Sequence, residues 1–499
     1  MSHQNRWLVL GIVSSALFLI VIDMTVLYTA LPRLTHDLAA TATEKLWIVN
    51  AYPLVVAGLL PGLGALGDRL GHKQMFMAGL AVFGVASLAA AFAPSSAALI
   101  AARVALAVGA AMMMPATLSL IRLTFTDEKE RAFAIGIWAA VASGGAALGP
   151  VVGGLLLEYF WWGSVFLINV PVVLLALAAS ALLLATRPGD ASRPWDLVGS
   201  VQVMVGLIGI VYAIKEVSKR DPSWGVVALT FVVGAAAMTV FVRRQRRIAA
   251  PLIDFSLFAN PRFSSGVVTA LVASGALVGV ELVFSQRLQL VLGYSPLEAG
   301  LLILPIPLAA FIAGPLTGLA LPRIAPARIL TGALTLTGLA LAAFLLLRDG
   351  PTAAWLTPLA VMGFGVGAAM TAASSAIMLS APEERAGMAA SVEEVSYELG
   401  GALGIALLGS LMSLLYTRAM ILPDDIVIAP QARDSLDEAL ILAAGLETGL
   451  SRQIATLART AFDHAFMGVI VAAIVCLFLA AALVWNVSRR PDSSFAEER

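Results

Sequence analysis

Apolar runs of bilayer length recur along this whole chain, and few folds can accommodate them. The first, residues 7–31 (WLVLGIVSSALFLIVIDMTVLYTAL), is followed by Pro32. It exceeds the roughly 20 residues that cross a hydrocarbon core as a helix. Thirteen more are centred in 46–67, 74–93, 98–121, 132–156, 163–185, 197–215, 224–242, 263–286, 296–321, 328–347, 353–380, 390–416 and 464–487. In lipid every backbone N–H and C=O must find a partner within the protein, so such runs specify helices. The expected fold class is an all-α polytopic membrane protein with fourteen spans.

Composition excludes the soluble alternatives. Of 499 residues 60% are hydrophobic and 12% charged, against about 25% charged in soluble domains. Basic and acidic residues balance at 31 each, so no global charge attracts nucleic acid. The single cysteine, Cys476, lies in the last run and rules out a disulfide framework or a thiolate cluster. His3, His36, His72 and His464 stand at no metal-ligand spacing, so no metal or cofactor is expected. The first run is also too long for the apolar core of a signal peptide.

An even number of spans leaves both termini on one side. With that side inside, the inner segments carry nineteen lysines and arginines and the outer segments eleven. This bias predicts cytoplasmic termini in a multi-pass protein of the cytoplasmic (inner) membrane. Lys215, Lys219 and Arg220, placed outside, run against it.

The chain repeats itself. GALGDRLGHKQ (64–74) aligns with GLALPRIAPAR (318–328) at an offset of 254, and Glu-Arg-Ala recurs at 130–132 and 384–386. Glycine-rich helices follow both, with GGAALG at 144–149 and GGALG at 400–404. Residues 1–187 and 263–499 are therefore expected as two six-helix bundles, with spans 7 and 8 (188–262) inserted. Parallel halves of this kind place a substrate site between them at mid-membrane. Pro322 stands opposite Asp68, so the halves are no longer equivalent.

Charge inside the runs marks candidate sites. Asp23 lies about two-thirds along the first, where a carboxylate costs on the order of 3 kcal/mol. It is either a structural acid or a proton- or cation-binding group. Arg103, in the fourth run, is its obvious counter-ion unless the guanidinium snorkels to an interface. Glu393, Glu394 and Glu398 open span 13, with Glu394 and Glu398 on one helical face. Two adjacent acids cannot both ionise cheaply in an apolar site. The alternative puts this turn at the inner interface. Glu281, in span 9, is either a second cation site or a partner for Arg287. Tyr28, Trp47, Tyr52, Trp138, Tyr397 and Met112 to Met114, Met113 foremost, are candidate cavity linings through ring faces and sulfur, and Asn50 and Glu398 are further candidates there.

Residues 418–463 form the one long segment between spans. Helical spacing with a break near Gly445 and Gly449 predicts two amphipathic helices lying on the outer face, possible cover for a cavity mouth.

Between spans 2 and 3, Gly64, Gly67 and Gly71 supply a tight turn around Asp68, Arg69 and Lys73. Asp68 can pair with Arg69 or with a helix N-terminus. In span 5, Gly145, Gly149 and Gly153 form a smooth stripe beside Pro150 and Gly154, suited to close helix approach. The turn resembles the signature cytoplasmic loop of the major facilitator superfamily, with His72 where arginine is usual. The stripe resembles that superfamily's antiporter motif. Together with Asp-Met-Thr-Val…Ala-Leu-Pro (23–32), Leu46-Trp-Ile-Val-Asn-Ala-Tyr52, Phe166-Leu-Ile-Asn-Val-Pro171 and Glu393-Glu394 they resemble its drug:proton antiporters with fourteen spans, of the quaternary-ammonium (Qac) and methyl-viologen (SmvA) types.

That resemblance implies alternating-access, proton-coupled efflux of lipophilic cations by a monomer, with protons as coupling ion and no cofactor. It implies a gating role for Gly64, Asp68, Arg69, Gly71 and Lys73, and proton or substrate roles for Asp23, Arg103, Glu393 and Glu394. Asn50 and Ala310 stand where such pumps can carry acids, which weighs against divalent cations. The alternatives are export of an endogenous solute (amino acid, siderophore or lipid precursor) and, remotely, a membrane-embedded enzyme or receptor. No Ser/His/Asp set or phosphate loop supports an enzyme.

Overall fold

The computed structural model describes residues 3–40, 42–186, 189–190, 195–217, 222–248, 251–421, 430–433 and 435–488. Among them fourteen helices are long and apolar enough to cross a membrane. They begin with α1 (His3–Asp37), α2 (Ala42–Leu70), α3 (His72–Ala91), α4 (Ser96–Thr124), α5 (Glu128–Tyr159) and α6 (Ser164–Leu183). An inserted pair follows, α7 (Leu197–Val217) and α8 (Trp224–Gln245). Next come α9 (Pro261–Gln286), α10 (Pro296–Ile303 continued by Pro305–Ala320), α11 (Pro326–Leu347), α12 (Thr352–Ser380) and α13 (Ala386–Ala419). A short helix, α14 (Leu436–Ala444), precedes the last span, α15 (Thr448–Ser488). The chain is a multi-pass membrane protein.

Side chains mark where the helices start. Ser95 and Asp127 accept backbone N–H bonds from Ala98 and Glu130 and so cap α4 and α5, while Ser295 and Glu298 form a capping box at α10. Two large apolar cores result. One gathers α1 to α6 and takes in Phe263 of α9 and parts of α12 and α13, and the other gathers α9 to α15 and takes in Ala132 of α5.

The cores meet along two seams related by the sequence repeat: α2 packs on α13, and α5 packs on α10. Shifting α2 and α5 by one repeat gives α10 and α13, so each seam is the other's image. The glycines show it. A Cβ on Gly64 would stand 2.5 Å from the Gly387 carbonyl, and one on Gly318, its repeat mate, 2.5 Å from the Ala132 carbonyl. No larger residue permits either approach.

The inserted pair breaks that symmetry. α7 lies on α2, where Gly58 receives Met204 and Ile208, and its Val211 also packs with Ala402 of α13. It therefore covers the α2–α13 seam. α8 turns Leu229, Phe231 and Val232 outward. Arg244 and Gln245 at its end hold Asp196 before α7 at 3.0 and 2.8 Å. Burial opposes the Asp196 charge, but the bonds from Arg244, Gly199 and Gln245 prevail and keep its carboxyl below the usual carboxylate range.

The segment between spans 13 and 14 departs from expectation. Only α14 is a separate amphipathic helix; the second predicted one is the first part of α15, a single helix of 41 residues. Residues 448–463 contain no proline, and Ile454, Ala458, Ala461 and Phe462 pack as one buried face, so nothing stops the helix. At 1.5 Å per residue it is about 60 Å long, twice the hydrocarbon core. α14 buries Leu436, Ala439 and Ala443 in the second core. The side chain of Lys215, and Lys219 and Arg220 entirely, lie outside the described residues.

Candidate functional site

In the first bundle, Asp23 is 2% exposed and Arg103 1% exposed. Arg103 Nη1 donates to Asp23 Oδ2 at 2.6 Å, and Arg103 Nε donates to the Ile48 carbonyl at 3.3 Å. The guanidinium lies 4.6 Å over the Tyr52 ring. The other carboxylate oxygen accepts from Asn169 Nδ2 at 3.1 Å, and the same nitrogen donates to Ser87 Oγ at 3.2 Å. Asp23 thus has a resident cation and a neutral donor. Snorkelling of Arg103 is excluded.

The second bundle is arranged differently. α13 starts at Ala386, so Glu393 lies about two turns inside it and is fully buried, with Glu394 5% exposed. This overturns the interfacial alternative. Ser374 of α12 donates to Glu393 Oε1. Among the described residues, Glu393 Oε2 and Glu394 Oε1 have no hydrogen-bond partner and neither acid has an ion pair. The Tyr397 hydroxyl lies beside Glu393 and donates to the Met370 carbonyl at 3.2 Å. Tyr52 lies within electrostatic reach of Asp23, Arg103 and Glu398 of α13.

Glu281 stands apart. Ser274 bonds the Tyr397 carbonyl and Gly279 packs against Gly404, which sets Glu281 level with about residue 405 of α13. That is roughly 15 Å along the helix from Glu394. Arg287 is not its partner: it donates to Asp463 at 2.8 Å and approaches Asp349 at 3.9 Å.

The loop motif fastens the bundles together at the end that carries the α2–α3 turn. Gly71 makes the turn with φ 99°. Asp68 accepts the N–H groups of Gly387 and Met388 at 2.9 and 3.3 Å, so it caps α13 from the opposite bundle rather than pairing with Arg69. His72 Nε2 sits 3.2 Å from Asp68, and Lys73 closes the end of α6 on the Ala181 and Leu184 carbonyls. Ser391 donates to Leu60, Arg122 to Ala381, and Arg385 to Asp254. A cavity of about 450 Å³ remains there, walled by Asp68, His72 and Lys73 and by Glu383 and Glu384 of the other bundle.

The span-5 stripe seats α1. Gly145 faces Phe18 and Val21, Gly149 faces Thr25, and Gly153 faces Val26 and Thr29, bracketing Asp23. Gly154 points away from it, with nothing within 4 Å of its added Cβ. The side chains of Pro150 and Tyr28 lie outside the described residues, although α5 runs unbroken through position 150.

Several aromatic and sulfur candidates pack against neighbours within the protein. Met113 is fully buried against Gly79, Trp138 donates to Thr117 at 3.2 Å inside the first core, and Trp47 stacks on Tyr212. Asn50 is half-buried. The residues passed over by sequence reading are Asn169 and Ser374. Asn169 carried a signal, an amide in the apolar run FLINVP just before Pro171. Ser374 carried none. No group of His, Cys, Asp and Glu suited to a metal occurs among the described residues.

The Major Facilitator Superfamily model matches residues 13–405. The chain is 41% identical to the methyl viologen resistance protein SmvA of Salmonella typhimurium, over 96% of this chain and 98% of that one. It is 39% identical to the multidrug efflux pump LfrA of Mycolicibacterium smegmatis, over 97% of both. The human organic anion transporter MFSD10 (TETRAN) shares the fold, with a TM-score of 0.60 at 14% identity over 95% of this chain and 99% of that one. Two six-helix bundles, a latching turn and whole-length kinship to efflux proteins lead to one assignment: the chain belongs to the Major Facilitator Superfamily and is a membrane transporter.

Proposed function

We propose that this transporter exports lipophilic cations, quaternary ammonium compounds and dyes among them, in exchange for protons. It works as a monomer in a bacterial inner membrane, with both termini in the cytoplasm. The observation that carries the reading is the pair Glu393 and Glu394: two buried carboxylates that, among the described residues, keep unpartnered oxygens and have no ion pair. A site of that kind is completed by a cation or by protons, and the two compete. In this reading the Asp68 latch is cytoplasmic and closed. A cation enters when the latch opens to the cytoplasm and settles among Glu393, Glu394, Tyr397 and Glu398. Protons from outside then neutralise the acids and release it. Asp23 binds the coupling proton, and Arg103 competes for the same carboxylate. The affinity difference between protonation states drives exchange. The names of SmvA, a methyl viologen resistance protein, and LfrA, a multidrug efflux pump, support drug export, and the first supports a cationic substrate.

Protein in proteoliposomes with an internal pH dye tests this. A monovalent quaternary ammonium should move protons, and Asp23→Asn should abolish that movement while folding is kept. Wild-type exchange by Asp23→Asn would remove Asp23 from the mechanism, and silence toward every lipophilic cation would favour an endogenous solute. Methyl viologen, a dication, asks whether Glu281 substitutes for the acids missing at Asn50 and Ala310.

A further inference from the structure

Asn169 opens the second part of α6, after a break at Ile168, and none of its surface is exposed. Its amide nitrogen uses both hydrogens, one on Asp23 of α1 and one on Ser87 of α3. Its oxygen has no partner among the described residues. This arrangement fits an ionised Asp23, which only accepts. Once Asp23 carries a proton it must donate, and a half-turn of the amide brings Oδ1 to face it. Ser87 follows without strain, because a hydroxyl that now accepts can equally donate. One amide group is unpaired in either orientation, so the turn costs little on that count.

We propose that Asn169 is a positioning residue for proton binding, an amide whose orientation reverses with the protonation of Asp23 and relays that state from α1 to α3 and α6. The charged and titratable groups facing Asp23 are Arg103 of α4 and Tyr52 of α2. The other packed helices offer uncharged groups there: Ser87, the glycine stripe of α5, and Asn169 itself. Asn169 is therefore the neutral group able to serve both states of the acid.

The proposal rests on Asp23 as the proton-binding group, and the test separates the two. Full-length protein in proteoliposomes is assayed for proton movement driven by tetraphenylphosphonium across a range of pH. If Asp23→Asn keeps the wild-type pH profile, the reading of Asp23 fails whatever Asn169 does. If that profile collapses, Asn169→Leu should move its midpoint toward higher pH by about one unit, a tenfold change in proton concentration, because the charge-assisted bond lost by the carboxylate is stronger than the neutral bond lost by the protonated acid. Ser87→Ala, which spares the Asn169–Asp23 bond, should move it about threefold and decides the matter if Asn169→Leu does not fold. Infrared titration of the carboxylic C=O band that disappears in Asp23→Asn should shift in parallel. An unmoved midpoint and an unmoved band in the folded variants would overturn the proposal.

Discussion

Each half of this molecule buries acid in its interior, yet the two halves treat it in opposite ways. The first half gives Asp23 a guanidinium at 2.6 Å and an amide at 3.1 Å. The second leaves an oxygen of Glu393 and one of Glu394 without partners among the described residues. A buried ion pair is a closed account in which removing one partner is costly, whereas an unpaired buried acid already bears its desolvation cost and gains from any arriving cation or proton. The first arrangement suits a group that must hold one proton against a competitor. The second suits a guest. The repeat that generated both halves gave equivalent seams but not equivalent sites.

The sharpest way to break this contrast is Arg103→Ala. It strands Asp23 in the first core and should cost about 3–5 kcal/mol, seen as a large loss of thermal stability in detergent. Adding Asp23→Asn should restore most of that stability without restoring transport. Unchanged stability in the single variant would mean that the pair is not coupled. Gly149→Val should come next, at about 1–3 kcal/mol, because its side chain would displace Thr25 and tilt Asp23 away from Arg103. Proton coupling should fall further than drug binding, measured separately by pH dye and by ligand fluorescence.

Glu394→Gln should act in the opposite sense on the second half. Stability should hold or rise, because a buried carboxylate without an ion pair is gone, while affinity for a monovalent lipophilic cation should drop about tenfold, or 1.4 kcal/mol. A stability loss as large as that of Arg103→Ala would erase the distinction between the halves.

The smallest effect belongs to the latch. Burial opposes the Asp254 charge, but the Ser256 and Arg385 hydrogen bonds outweigh it and hold the carboxyl below the usual carboxylate range. The contribution of that pair is therefore present above the ordinary carboxylate pKa and lost as pH falls through the lower folded value. Asp254→Asn should cost only about 0.5 kcal/mol at neutral pH and nothing in strong acid. Thermal unfolding at the two pH values checks it.

Much of the architecture was legible in the residues because the bilayer allows so few solutions. Run length and charge placement located the spans, and an offset of 254 predicted two related six-helix halves, whose paired seams at Gly64 and Gly318 only the structure shows. The glycine stripe announced a close helix neighbour, and Asp23 a counter-ion in Arg103. The failure of helix placement has a physical cause. An amphipathic pattern between Thr448 and Asp463 reads identically for a helix on a surface and for one standing upright against α9 and α14, because periodicity describes a face and not what covers it.

The sequence by itself determined how many helices cross the membrane, which residues in them bear charge, and which stripes are smooth enough for close packing, since these depend on local composition and period. Only the tertiary structure decided which acid meets a cation and which is left without one. That depends on Arg103 and Asn169, 80 and 146 positions from Asp23, arriving at its carboxylate while no comparable side chain arrives at Glu394 among the described residues. Electrostatic pairing in a low-dielectric interior acts over a few ångströms in space, and no periodicity along a chain encodes that distance.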